Sequence, residues 1–284
     1  MQNVTAIIGD VVDSRKYEDR AKVQKRLIYS INYLNESFVD YIVKNVEVSS
    51  GDSVQGLFND ASMSFLYVRM LQMMMTPIKL RVGIGFGDID YLDDSYTSNM
   101  LDGSAYHNAR LALEVIEDVK ENSVYLSADI HSKVLLNSAN GMLKMYYQIK
   151  SKQSLKSSLM QLLYEIINPL SLDGSVRYLI NEEFLDNIRS ADLQIIDSSF
   201  KSNVLSDMNN MTHMLGTKDL VESESMLSTL QYKTRGTADK LAMITGTTRQ
   251  NVQKFIAKDI QDDVLNTITI VNYLREIFLK DFDN

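Results

Sequence analysis

The sequence predicts an α+β fold: a mixed sheet with helices packed on it, of the ferredoxin-like sandwich kind, followed by an all-α domain. Three observations predict it. Apolar runs with strand patterning alternate with amphipathic stretches over the first half, in the order β-α-β-β-α-β-α-β-α. The composition then shifts near position 150, and the stretches that follow read as helices. At 284 residues the chain exceeds one average domain and suggests two, 1–150 and 151–284.

Thr5 to Val12, TAIIGDVV, is a near-continuous apolar run broken by Gly9-Asp10, which suits a central strand buried on both faces. Asp13-Ser14 offers a helix N-cap, with Arg15 to Lys25 leading into a helix. Val23, Leu27, Ile31, Leu34 and Phe38 give that helix one apolar face up to about Tyr41. Val46 to Phe58, VEVSSGDSVQGLF, alternates on either side of Ser50-Gly51-Asp52-Ser53 and reads as a β-hairpin with Asp52 at its tip. Ala61 to Met75 is a helix whose Met-rich face is core filler, ended by Thr76-Pro77.

Ile78 to Ile89 is strand-like, and its alternate glycines 83, 85 and 87 imply close approach of another backbone or a ligand. Tyr91 to Met100 reads as a polar loop or hairpin. Gly103 to Asp118 reads as a helix, Ser123 to Ser127 as a strand and Asp129 to Leu136 as a short helix. SANG, 138–141, reads as a turn, and MLKMYYQIK, 142–150, as a closing strand. Leu155 to Ile167 is an amphipathic helix, and Ser171 to Thr217 reads as short helices with polar breaks, where His213 has no chemical partner in sequence.

If the first strand and the hairpin lie side by side, Asp10 and Asp52 face one pocket. Two converging carboxylates repel, and a divalent cation relieves that repulsion. The helix start expected after Asp10 would add amides for an anion, so a magnesium-dependent phosphate site is expected beside Ser14 and Arg15. The alternative is that Gly-Asp is simply a common turn dipeptide.

Composition narrows the classes. Cys is absent, which excludes disulfides and thiolate metal sites, and with three scattered His residues any bound metal should be hard and held by oxygen. No apolar run is long enough to cross a bilayer, and MQNVTAIIGD has no signal-peptide pattern, so a cytoplasmic protein without a membrane partner is expected. The net charge of −8 argues against wrapping nucleic acid over the whole surface, though not against a local basic patch.

Such a patch occurs at Ala238 to Lys254, ADKLAMITGTTRQNVQK. Ala242, Gly246 and Val252 stand fifth, ninth and fifteenth from Ala238, as a helix-turn-helix over 236–258 requires. Thr247 or Thr248 would cap the second helix, and Arg249, Gln250, Asn251, Gln253 and Lys254 would face outward to double-stranded DNA. From Lys233 to Asp259 there are six Lys or Arg against two Asp, a net charge of +4. A plain helical hairpin in a bundle is the alternative. The last helix, Asp262 to Leu279, has an apolar face that would close the domain or form a dimer interface.

The order and spacing of IIGDVVDSR, SSGDSVQGLF, LRVGIGFGDI, DGSAYHNARLAL and VYLSADIHSKV resemble the homology domain of class III nucleotidyl cyclases. The chain as a whole resembles the SatD family. The cyclase resemblance, over about Thr5 to Leu136, implies that Asp10 and Asp52 hold Mg²⁺ or Mn²⁺ against a nucleoside triphosphate, with the Val11 carbonyl as a further ligand and Gly51 at the nucleotide. It also implies departures. The cyclases' base-reading Lys is Val48 here, and their Asn and Arg four apart on a helix are not matched, since Asn108 and Arg110 are two apart and His107 stands near the Asn position.

The reading is a cytoplasmic, homodimeric DNA-binding regulator with a nucleotide-binding, cyclase-like first domain. An active nucleotidyl cyclase or nucleotidyl transferase, with His107, Asn108 and Arg110 as its catalytic residues, is the alternative, and a purely structural dimerisation scaffold is the third.

Overall fold

In a computed structural model the described residues are 4–90, 101–129, 133–170, 176–189 and 236–280. The loop read at Tyr91–Met100, most of Ser171–Thr217 with His213, and Lys233 and Arg235 lie outside them. The chain divides into two compact units, Met1–Lys152 with Asn266–Asn284, and Gln153–Leu265.

The first unit is mixed α+β around one five-stranded sheet, ordered β2-β3-β1-β4-β5. Its strands are β1 (Val4–Val11), β2 (Ile42–Ser50), β3 (Ser53–Phe58), β4 (Leu80–Gly87) and β5 (Ser123–Ala128). β1 lies between β3 and β4, antiparallel to both, β2 is antiparallel to β3, and β5 is parallel to β4. The expected mixed sheet is therefore present. Gly51, at φ 59°, makes the tight reversal between β2 and β3 that a side chain would resist.

Helix α1 (Arg20–Ser37) starts later than the sequence reading has it. Asp13 adopts a left-handed conformation without capping, Ser14–Lys16 makes a single 3-10 turn, and Asp19 accepts from the Lys22 amide as the true cap. The physical reason is that no apolar period begins before Val23, so nothing holds the earlier charged residues in a helix. Helix α2 (Ala61–Met75) is buried at every residue, Ser62, Ser64, Arg69 and Gln72 included, so burial extends beyond its Met-rich face. Its C-terminal Met74 carbonyl accepts from both Nε and Nη2 of buried Arg26 on α1, at 2.9 and 2.7 Å.

Helix α3 (Ser104–Val115) lies on the glycine stripe of β4. A Cβ on Gly83 or Gly85 would run into the α3 backbone at Ala109, which is the close approach the alternate glycines imply. Helix α4 (Lys133–Lys150) corrects two readings: neither a turn at 138–141 nor a strand at 142–150 forms. Ala139, Leu143, Tyr146 and Tyr147 are buried at helical spacing, and Gly141 faces open space where it strains nothing. Both outer strands are met by an asparagine from a helix. Asn35 bonds the Val46 amide and carbonyl at 3.2 and 3.0 Å, and Asn140 those of Leu126 at 2.8 and 2.9 Å.

The described residues of the second unit are helical apart from short connecting segments. It contains α5 (Leu155–Ile167), α6 (Glu182–Arg189), α7 (Thr237–Thr245) and α8 (Arg249–Phe255), then a π-helical turn at Ile256–Ile260. The last helix, α9 (Gln261–Lys280), belongs to this unit up to Leu265 and to the first from Asn266, where the Phe278 ring lies 4.4 Å from that of Phe86. No helix among the described residues is long and apolar enough to cross a membrane.

Candidate functional site

Asp10 ends β1 opposite Ser53 on β3 and Arg81 on β4. The Val11 amide donates to the Asp52 carbonyl at 3.2 Å, so the hairpin tip is tied to the end of β1 and the two Gly-Asp segments are neighbours. Both aspartates are half-buried. The residue that sequence reasoning misses is Arg81. Its Nε donates to Asp10 Oδ1 at 3.0 Å and its Nη2 to Oδ2, a bidentate grip with the Arg81 side chain 10% exposed and the Asp10 side chain 28%. The signal was available: Arg81 shares its face with Gly83, Gly85 and Gly87, and a charge on a stripe otherwise reserved for close packing needs a partner.

The guanidinium changes what the corner can hold. It cancels one of the two carboxylate charges and takes one lone pair on each Asp10 oxygen. Among the described residues no group of three or more His, Cys, Asp or Glu could hold a metal ion. Asp10, Asp52 and the Val11 carbonyl by themselves fall short of the oxygen ligands that the pair of ions implied by the cyclase resemblance would need.

Cationic residues surround the chain just past this corner. Lys16 Nζ lies 3.0 Å from Asp13 Oδ2 and Lys120 Nζ 3.6 Å from Asp13 Oδ1. The Lys16 hydrogen bond, with help from Lys120, holds the Asp13 carboxyl below its ordinary value. Ser14 is half-buried and Arg15 exposed in the intervening turn, and Gly51 is exposed at the hairpin.

The three residues set against the cyclase transition-state pair are not brought together. Asn108 is buried with Nδ2 donating to the Phe86 carbonyl at 2.9 Å, which braces α3 on β4. His107 and Arg110 are exposed, and Arg110 has no ion pair among the described residues. One residue earlier, the Tyr106 hydroxyl is buried without a hydrogen-bond partner among them. Burial pushes its pKa up, and the charge of Glu47 adds to the shift.

In the second unit, α7 ends at Gly246 in the left-handed conformation, φ 62° and ψ 15°. Two residues on, the Thr248 side chain accepts from the Asn251 amide and starts α8. Ala238, Leu241, Ile244, Val252 and Ile256 are buried, while Arg249, Gln250, Asn251, Gln253 and Lys254 are all exposed. Arg249 leans toward Asp239, with Nε 3.5 Å from Oδ1. Such an exposed pair is worth at most about 1 kcal/mol and yields to a phosphate.

The model of the SatD family matches residues 4–221. No curated protein and no solved structure matches the chain.

Proposed function

From the premise that the chain belongs to the SatD family, whose model covers most of its length, we propose a cytoplasmic, homodimeric regulator that binds double-stranded DNA through α7 and α8. The observation that carries this is the helix pair: a left-handed Gly246, a Thr248 cap and five exposed polar side chains on the second helix, of the types that reach base edges and phosphates. Lys254 and Arg249 supply phosphate contacts, and Gln250, Asn251 and Gln253 the amide and polar groups for base edges. The family match ends before this pair, so the DNA reading rests on the pair's own geometry.

The first unit is the nucleotide sensor, with a ferredoxin-like, cyclase-related sheet. What supports it is the central β1 flanked by antiparallel β3 and β4, with Asp10 and the Asp52 hairpin joined at one corner. When bound, a magnesium ion there neutralises triphosphate charge. Asp52 supplies the less encumbered carboxylate, Arg81 holds Asp10 in place, and Lys16, Lys120 and Arg15 offer charge to phosphates. Because Asn108 is spent on Phe86 and His107 and Arg110 lie exposed, binding without turnover is the favoured outcome.

The test is fluorescence anisotropy with a pool of randomised duplexes over a salt series, with and without each nucleoside triphosphate and Mg²⁺. DNA affinity should fall steeply with salt, and the Arg249→Ala, Lys254→Ala double variant should flatten that slope by about two units. An unchanged slope in the double variant sinks the DNA reading. A nucleotide that leaves DNA affinity unchanged at constant salt sinks the coupling. Cyclic or linked product in the same samples would instead make the protein a nucleotidyl cyclase or transferase.

A further inference from the structure

The outer edge of β5 is only partly closed. Asn140 on α4 satisfies the Leu126 amide and carbonyl, and the pairing of β5 with β4 is regular from Ser123 to Ala128. In a regular edge strand alternate residues turn their backbone the same way, so Val124 presents its N–H and C=O on the side of Leu126's. No side chain among the described residues bonds them. Val124 lines a cavity of about 410 Å³ between β5, α4 and the end of α3.

The helix is in step with the strand. One turn from Asn140 to Lys144 advances about 6 Å, and two residues from Leu126 to Val124 span about 6.6 Å. Lys144 therefore stands where a second asparagine would close Val124, but an ammonium only donates and cannot serve an amide and a carbonyl together. It has no ion pair among the described residues. The Ser123 hydroxyl in the wall is buried without a hydrogen-bond partner among the described residues. Ile116 and Val119 on one side and Tyr147 on the other make the remaining walls largely apolar.

We propose that this cavity binds a small anionic molecule with a planar donor–acceptor edge, the chemistry of a nucleoside monophosphate. The base edge takes the Val124 amide and carbonyl as the Asn140 carboxamide takes those of Leu126, the ring lies between the apolar walls, and the anion meets Lys144. The size suits a ligand of this class. The cavity contains neither Asp10 nor Asp52 and needs no divalent ion.

The experiment titrates the full chain by calorimetry with each nucleoside monophosphate, its parent nucleoside and inorganic phosphate, all in excess EDTA. A monophosphate should bind saturably, its nucleoside about tenfold more weakly for want of the charged contact, and phosphate alone not at all. Lys144→Glu, at an exposed position, should weaken the monophosphate by at least about tenfold. Val119→Trp should abolish binding by filling the cavity. No saturable binding in EDTA, or binding indifferent to both substitutions, would each overturn the proposal.

Discussion

Arg81 grips both carboxylate oxygens of Asp10 directly across the β1–β4 ladder, in a pair that is largely out of water. The guanidinium thus neutralises one of the two carboxylates at the Asp10–Asp52 corner.

Arg81→Gln should lower stability in EDTA by about 2–3 kcal/mol, because Asp10 is left half-buried without its partner. Mn²⁺ should then restore part of the loss and bind the variant more tightly than it binds the parent. Thermal melting with and without Mn²⁺ reads both effects. A variant that Mn²⁺ does not stabilise would show that the corner is not a cation site even when vacated.

Burial raises the pKa of Tyr67, Tyr106 and Tyr164, the last to about 12. Unfolded phenols ionise near about 10, so above that pH the unfolded state binds fewer protons than the native one. Stability should therefore be full below about pH 10 and decline as pH rises toward 12. Urea midpoints across that range check it. Tyr106→Phe should soften the alkaline decline and, by removing an unpartnered buried hydroxyl, leave neutral-pH stability unchanged or raise it by up to about 1 kcal/mol.

Gly85→Ala should be among the most damaging single changes in the first unit. The added methyl would collide with the backbone of α3 at Ala105 and Ala109, and backbone on both sides has nowhere to yield. A loss of at least about 3 kcal/mol is expected, at the upper end for overpacking. Gly141→Ala, facing open space in α4, should be neutral or stabilising by about 1 kcal/mol. Equal melting temperatures for the two variants would contradict the packing described.

Gly246→Val should cost about 1–2 kcal/mol, since a β-branched residue is forced to a left-handed φ, whereas Gly246→Asn should cost little. DNA affinity should follow the same order. Anisotropy on randomised duplexes with all three proteins decides the matter, and a valine variant that binds as the parent does would break the link between the turn and DNA.

What was legible in the sequence was periodicity. The strands, the Met-rich face of α2 and the stripe of Gly83, Gly85 and Gly87 announce themselves because burial acts residue by residue along one element. The start of α1 was misread because Asp13-Ser14 is a good cap by type, yet capping is worth too little to hold a helix without an apolar face beyond it. In 142–150 the tyrosines' strand propensity outweighed the spacing of Leu143, Tyr146 and Tyr147, although that spacing marks the buried face of α4. The Arg81–Asp10 grip joins residues 71 apart, and only the strand register makes them neighbours. In α7 and α8 the turn glycine and the cap were local signals, and local signals survive translation into structure best.

Asn35 and Asn140 give the sheet a consequence beyond the molecule. An exposed outer strand templates the next one, and fibres and domain-swapped chains grow by such additions. Here a newcomer strand would have to evict a carboxamide at Val46 on one flank or Leu126 on the other. Those two carboxamides thereby guard both flanks of the sheet, the one at Val46 sitting where the β2–β3 register is itself irregular.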